Sequence, residues 1–328
     1  MSRLNQILAV ILVLQLVAMA VIYWPDSSAA SGEPLFEGVQ ADQIVALTIS
    51  DANGQSVQLE KGPTGWGLPD AGGFPVVESK VEELLRQIAE LRADQLVTRT
   101  AESHRRLEVD DAEFERLIEF NLADGTRHKL YLGSSPSFNV IHVRADDEDE
   151  VYLSLGVAAS DAGTTAVSWI DPIYLSMPQG DIVAISLENK NGSLEFEKGD
   201  DDAWTMVNLP AGETLLENNV SSLATRISSL RMTRPLGQEE DPAYGFDNPS
   251  AQVTAVTRDA AGSETTYVLR VGAPLEGEGG YVVKSATSPY YVLMTTFTVE
   301  DFVEGTLQDY LQAPPTPTPE VQEPTPAP

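Results

Sequence analysis

Three histidines are the side chains of this sequence best suited to metal binding or general-base catalysis: His104, His128 and His142. Either role needs partner side chains that converge on the imidazole. His128 and His142 fall on different predicted strands with charged neighbours, and the sequence has no HExxH, GxSxG or Walker motif. The pattern therefore predicts surface or structural roles for the histidines, and it predicts no catalytic residue and no cofactor.

The stretch GSSPS, Gly133 to Ser137, contains serines but lacks the spacing of a nucleophile elbow. No acid and histidine pair stands near it in sequence. A catalytic triad is defined by its geometry rather than by sequence order, so a hydrolase with a site in an inter-domain cleft stays open as a hypothesis. A non-enzymatic role is favoured because no catalytic signature is present.

Two acidic runs, DDEDE from Asp146 and DDD from Asp200, offer the oxygen ligands that calcium prefers. Neither run has the D-x-[DN]-x-[DN]-G spacing of a calcium loop, and both fall where hairpin turns are predicted. Solvated turn tips are therefore the favoured interpretation. The weak calcium candidates are Asp146, Asp147, Asp149, Asp200, Asp201 and Asp202.

The overall charge and the absence of cysteine exclude several classes of partner and site. The 328 residues include 50 acids and 20 bases, a formal net charge of −30. Such a charge repels phosphate backbones, so nucleic acid is not a predicted partner. Without cysteine the chain has no disulfide, thiolate metal site or cysteine nucleophile.

The N-terminal segment predicts a membrane anchor. An apolar run from Ile7 to Trp24, broken only by Gln15, follows Arg3. The run is longer than a signal-peptide core and close to the roughly 20 residues that cross a bilayer as a helix. Arg3 would stay in the cytoplasm and Trp24 would lie at the far interface, which places the bulk of the chain at the cell surface or in the periplasm. Small residues at 28–30 keep a cleaved signal peptide as the alternative.

The middle of the chain repeats itself at a nearly constant shift of 138 to 140 residues. The stretch IVALTISDANGQSVQLEKG from Ile44 resembles IVAISLENKNGSLEFEKG from Ile182. Further matches pair Trp66 with Trp204, Leu91 with Leu230, Gly133 with Gly272 and Leu153 with Leu293. The predicted segments are a transmembrane helix (1–24), a linker (25–43), a first repeat domain (44–167), a connector (168–181), a second repeat domain (182–311) and a disordered Pro/Thr-rich tail (312–328).

Each repeat has the pattern of an α+β domain. Alternating apolar residues flank Asn53-Gly54 and Asn191-Gly192, a pair that favours tight type I′ hairpin turns. A tryptophan and an amphipathic helix follow, and further hairpins close each repeat. Short hairpin connections leave no room for parallel crossovers, so the sheets are predicted to be mainly antiparallel. The predicted core faces of the two helices are Val81, Leu84, Leu85, Ile88 and Leu91, and Val220, Leu223, Ile227 and Leu230.

The stretch YGFDNP, Tyr244 to Pro249, is the most motif-like part of the chain. At the shift of 139 its counterpart is RRLEVD, from Arg105, which keeps only the apolar residue and the acid. A chain reversal that plugs the core is therefore favoured over a binding site, with Asp247 forming an Asx-type turn. The residues interpreted as structural are Trp66, Trp204, Tyr244, Gly245, Phe246, Asp247, Pro249 and Gly272.

The order of tryptophan, helix, YGFDNP, hairpin, VG, YVV and YYVL resembles the bacterial domain of unknown function DUF4340. The resemblance covers Ile182 to about Leu311 well and Ile44 to Ser154 more loosely. It implies an exported, membrane-tethered protein, and some relatives are encoded beside transporters of the gliding-motility ABC type. It implies no catalytic residues.

These observations favour an extracytoplasmic binding or scaffolding module, with an ABC-type transporter or another envelope protein as the expected partner. The alternative is a module that binds envelope polysaccharide or peptidoglycan.

Overall fold

The computed structural model describes residues 32–199 and 201–312, together with Gln15. Among these residues, none of the helices combines the length and the hydrophobicity that a membrane span requires. The predicted transmembrane helix (1–24, apart from Gln15), residues 25–31 of the predicted linker, Asp200, and residues 313–328 of the predicted tail lie outside the described residues.

The first half of the described chain, residues 32–171, is built mainly from antiparallel strands. Its strands are β1 (Glu33–Pro34), β2 (Ile44–Ser50), β3 (Ser56–Gly62), β4 (Gly65–Leu68), β5 (Phe74–Pro75), β6 (Arg92–Ala93), β7 (Gln95–Thr98), β8 (Arg116–Leu122), β9 (Arg127–Leu132), β10 (Val140–Ala145) and β11 (Val151–Leu155). Nine of them form one sheet in the order β5-β4-β3-β2-β8-β9-β10-β11-β7, and β1 pairs with β6. The helices of this half are α1 (Glu78–Glu90), α2 (His104–Leu107) and α3 (Ala166–Trp169).

The second half, residues 172–312, has a similar composition of elements. Its strands are β12 (Ile173–Ser176), β13 (Ile182–Asn189), β14 (Gly192–Lys198), β15 (Trp204–Met206), β16 (Ser229–Arg231), β17 (Arg234–Gly237), β18 (Ala251–Arg258), β19 (Glu264–Leu275), β20 (Gly280–Ser285) and β21 (Tyr291–Thr295). Eight form a sheet in the order β15-β14-β13-β18-β19-β20-β21-β17, and β12 pairs with β16. The helices are α4 (Glu217–Ser228) and α5 (Thr296–Glu304). The predicted α+β class with antiparallel sheets is confirmed.

The main core lies between each sheet and its long helix. Every apolar residue predicted for the two helical faces is buried, from Val81 to Leu91 and from Val220 to Leu230. Along β18 the alternate residues Ala251, Val253 and Ala255 are buried in the same core. Most of the buried apolar residues of both halves form one continuous cluster, which joins the two sheets through a shared apolar interior.

The segments predicted as linker and connector contribute to the folded halves. Within the predicted linker, β1 pairs with β6, and Phe36 and Val39 are buried. Within the predicted connector, β12 pairs with β16, and Trp169 is 2% exposed. The Trp169 carbonyl accepts a hydrogen bond of 2.7 Å from the Val77 N–H, just before α1. Both segments therefore help to seat the long helices on the sheets.

Direct contacts join the two halves. The ring of Phe74 lies edge-on to Tyr290, with centroids 4.7 Å apart, and the Tyr290 hydroxyl donates to the Gly73 carbonyl. The Gln238 side chain donates to the Gly72 carbonyl at 3.2 Å. These contacts bring the 3-10 turn Pro69–Ala71 of the first half against β17, the edge strand of the second sheet.

The two Asn-Gly hairpins differ from the predicted type I′ turns. That turn needs a positive φ at both central residues, but among these four residues only Gly54 and Gly192 have one. In the first hairpin the Asp51 carboxylate accepts hydrogen bonds from the N–H groups of Asn53 and Gln55, which stabilises a longer loop. The prediction of the turn type was wrong because a nearby side chain supplies the competing hydrogen bonds.

Candidate functional site

A short 3-10 turn, Pro242–Tyr244, leads into the corner YGFDNP. The turn ends at Gly245, which has a left-handed φ of 72°. Asp241 caps this turn, because its Oδ1 accepts a hydrogen bond of 2.8 Å from the Ala243 N–H. Asp247 is exposed, and the prediction that it forms an Asx-type turn into the next strand was wrong, because the residue two positions on is Pro249, which has no N–H to donate to the carboxylate. The acid that caps a turn here is Asp241, which precedes the motif.

The corner packs on the outer face of the second sheet, opposite the main core. Phe246 is 5% exposed and clusters there with Val282 and Tyr291, whereas the adjacent Val283 belongs to the main core. The corner approaches β19 so closely that a Cβ at Gly272 would overlap the Tyr244 carbonyl oxygen. Gly272 therefore allows the corner to lie directly on the sheet.

The first half has the same corner geometry at Leu107, Glu108 and Val109. Glu108 has a left-handed φ of 58°, as Gly245 does, and a Cβ at Gly133 would overlap the Leu107 carbonyl oxygen. Leu107 and Val109 form a small cluster on the outer face of the first sheet. The counterpart of Tyr244 is thus Leu107, and the alignment of YGFDNP with RRLEVD was two residues out of register. The sequence similarity between these two six-residue stretches is too weak to determine which of their positions correspond.

Cations and phenols surround both corners. Arg144 is 4% exposed, donates to the Val109 carbonyl at 2.7 Å, and stacks 3.9 Å above the centre of the Tyr131 ring. Its guanidinium also binds Asp111, and this hydrogen bond lowers the pKa of the Asp111 carboxyl. In the second half the Arg270 guanidinium donates to the Phe246 carbonyl. A cation bound to a corner carbonyl is therefore common to both halves.

Alkaline pH is expected to loosen the second corner. Burial, together with a 2.8 Å hydrogen bond from its hydroxyl to Glu240, raises the pKa of Tyr291 from 10.0 to about 12. Because folded Tyr291 holds its proton more tightly than the unfolded chain does, the protonated phenol stabilises the fold. This contribution to the free energy of unfolding is complete below about pH 10 and is lost as the pH rises towards about 12. We expect the free energy of unfolding to fall less steeply in Tyr291→Phe, measured by urea denaturation at about pH 9 and about pH 11. Identical slopes would contradict this assignment.

An open cleft of about 650 Å³ lies at the end of the corner. It lies where the β13–β14 turn, residues 248–250 and the end of α5 meet. Lys190 and Glu304 form an ion pair at its rim. The Asn189 side chain fixes the turn by donating to the carbonyl of Phe302, in the last turn of α5, and to that of Gly305, just after the helix. The lining residues are Glu188, Asn189, Lys190, Asn248, Pro249, Ser250, Gln252, Pro274, Tyr281, Val303 and Glu304.

The structure does not bring the three histidines together. His142 Nδ1 donates to the Ser134 carbonyl at 2.7 Å, while Ser134 Oγ donates to the Leu107 carbonyl, so His142 cannot take the serine proton through that nitrogen. His104 Nε2 lies 3.0 Å from the Asp149 carbonyl oxygen. His128 Nδ1 lies 3.0 Å from Asp146 Oδ2 and lines a separate cleft of about 470 Å³. None of these contacts completes a triad within the described chain.

The described calcium candidates lie at turns, and the side chains of Asp146, Asp147 and Asp201 bind protein groups. Asp146 accepts from the backbone N–H of Lys129, and Asp147 forms an ion pair with the Lys129 side chain. Asp201 accepts from the Ala203 N–H, and Asp202 has a left-handed φ of 62° at the same turn. Asp200 lies outside the described residues. Across residues 32–199 and 201–312, no three acidic or histidine side chains group to hold a metal ion.

Trp66 and Trp204 are both 6% exposed and belong to the main core. Each lies on a short strand that precedes the long helix of its half. Pro249 borders the cleft and Asp247 is exposed, so the last part of the motif belongs to the surface. Sequence reasoning missed the cleft residues Gln252 and Tyr281, because ordinary alternation along a strand gave no signal that distinguished them.

Comparisons with known proteins identify a family and no individual relative. The sequence model of the domain of unknown function DUF4340 matches residues 66–249, more than half of the chain. No curated protein and no solved structure matches the chain. The matched part runs from Trp66 to the end of YGFDNP, and thus stops before the strands β18 to β21 that were expected to match well. The chain belongs to the DUF4340 family, whose domain has no known function.

Proposed function

We propose that the two halves are tandem copies of one domain. The order of the first sheet from β4 to β7 corresponds strand by strand to that of the second sheet from β15 to β17. The pair β1 and β6 corresponds to the pair β12 and β16, which extends each copy upstream of its predicted start. The shared corners, with a left-handed residue and a close glycine, support the same inference.

We propose further that the protein is a membrane-tethered, extracytoplasmic binding or scaffolding module, accessory to a transporter or another envelope assembly. The main support for this proposal is the continuous core, which joins the two sheets into one platform. Open polar clefts lie on the surface of this platform. The apolar run before residue 25 supplies the tether. The charge of −30 favours partners that present basic surfaces.

A second candidate function follows from the cleft itself. Amide side chains of Asn248 and Gln252, the Tyr281 ring and the Glu188 carboxylate are the kinds of group that bind sugar hydroxyls. This lining favours polysaccharide or peptidoglycan as a ligand.

Two affinity measurements separate the candidates. Full-length protein purified from membranes in mild detergent should retain a stoichiometric envelope partner, and recovery of the protein alone would count against scaffolding. Retention on insoluble cell-wall material, reduced at least about tenfold by Asn248→Ala with Gln252→Ala, would instead establish the polysaccharide module. Equal retention of the variant would reject the cleft as a sugar site.

A further inference from the structure

The edge strand β7 differs from the other three edges of the two large sheets. Its backbone has hydrogen-bond partners in β11 alone among the described residues, and no proline interrupts it. Leu96 is 39% exposed, Val97 37% and the neighbouring Leu155 55%. An exposed strand edge with apolar side chains is a template for pairing with another chain.

The other three edges are protected. β17 contains Pro235 and is contacted by the 3-10 turn Pro69–Ala71. β5 ends in Pro75, and its Phe74 packs on Tyr290. On β15, three residues long, the Trp204 N–H donates to the Glu217 carboxylate. In the first sheet, β7 occupies the position that β17 occupies in the second sheet. No element of the described chain covers β7 as the turn Pro69–Ala71 covers β17.

A second observation beside β7 points to a ligand. Asp94, which directly precedes the strand, has a buried Oδ1 with no hydrogen-bond partner among the described residues. It borders a cavity of about 490 Å³ that Leu155, Arg92 and Glu90 also line. A buried carboxylate oxygen without a donor is costly, so an N–H group or a cation from a bound segment would satisfy it.

The surroundings of β7 are acidic. The pKa of Tyr152, which pairs with Leu96, is raised by burial and by the negative charges of Glu150 and Glu148. Glu33 and Asp94 add two further carboxylates near this edge, so these four acids outnumber the two cations beside it, Arg92 and Arg99. A second copy of this acidic chain is therefore disfavoured, and a basic segment is favoured.

The location of β7 restricts the source of that segment. Eight residues separate Trp24 from β1, and a fully extended segment of this length spans at most about 30 Å. β1 pairs with β6, and only Asp94 separates β6 from β7. If the predicted anchor holds the chain, β7 therefore lies close to the membrane surface.

We propose that β7 adds an extended, apolar and basic segment of a membrane-resident protein as a new strand. This assignment rests on the proposed function and names its docking surface. Backbone hydrogen bonds supply the affinity, and a basic or N–H group of the segment reaches Asp94.

A peptide of alternating valine and lysine, about six residues long, tests the assignment on the full-length protein in detergent. We expect it to slow amide hydrogen exchange at residues 95–98 and to lose at least about tenfold in affinity for Val97→Lys and for Asp94→Asn. Val167→Lys is the matched control, because Val167 is 45% exposed and lies in α3. A peptide of alternating valine and glutamate should not bind.

Three results would overturn the assignment: no protection of residues 95–98 by the peptide, equal binding by Val97→Lys, or exchange at these residues that is already slow without peptide. The last result would mean that the chain's own upstream segment covers the edge. If the membrane partner copurifies equally with wild type and Val97→Lys, the docking surface is wrong and the proposed function stands. If wild type retains no partner, the proposed function itself fails.

Discussion

Gly272→Ala and Gly133→Ala are each expected to destabilise the protein by about 1–3 kcal/mol, at the upper end of that range. In both cases the new methyl group would overlap a backbone carbonyl oxygen, that of Tyr244 or of Leu107, which cannot rotate away. The corner would have to lift off the outer face of its sheet, and the small apolar clusters around Phe246 and Val109 would open. Urea denaturation followed by circular dichroism measures both losses.

Gly180→Ala is the matched control for these substitutions. A Cβ at Gly180 has no atom within 4 Å, and its φ does not lie in the left-handed region. The free energy of unfolding of Gly180→Ala should equal that of wild type or exceed it by up to about 1 kcal/mol. A normal stability for Gly133→Ala beside a large loss for Gly272→Ala would contradict the inference that the two corners are built alike.

Trp66→Ala and Trp204→Ala should each cost about 3–5 kcal/mol. Both indoles are buried in the same continuous core, and each truncation leaves a cavity beneath the long helix of its half. Because the two halves share that core, we expect each variant to lower the midpoint of one common unfolding transition. Far-ultraviolet circular dichroism is the appropriate probe, since fluorescence would change with the removal of tryptophan itself.

Phe138→Ala is the control for loss of a large aromatic side chain. Phe138 is 99% exposed at the β9–β10 connection. The free energy of unfolding of this variant should therefore differ from wild type by no more than about 0.5 kcal/mol. Two separate transitions, with only one shifted in each tryptophan variant, would show that the halves unfold independently. That result would contradict the shared core as the basis of the platform.

The sequence allowed the periodic parts of the fold to be predicted. Apolar spacing identified the buried faces of α1 and α4, and alternation identified strands such as β18, because these signals repeat over several residues. The turn at Asn53 and the register of the corner at Leu107 could not be predicted in the same way. Each depends on one local hydrogen bond or one backbone dihedral angle, which competing side chains can change.

The candidate surfaces depend on tertiary placement. Gln252 and Tyr281 belong to different strands, and only the assembled sheet brings them to one cleft. The tetrapeptide Gln95–Thr98 carries no signal that it forms an edge, because an edge is defined by the strand order of the whole sheet. The buried Asp94 oxygen likewise becomes visible only when its neighbours are in place.

Crosslinking from outside intact cells tests the proposed function most directly. A membrane-impermeant, amine-reactive crosslinker reaches only extracytoplasmic lysines, among them Lys190, whose side chain is 60% exposed. If the protein is a tethered extracytoplasmic scaffold, the full-length chain purified afterwards should be joined to a second envelope protein. A chain that reacts only after the cells are lysed, or that reacts from outside without joining any other protein, would contradict it.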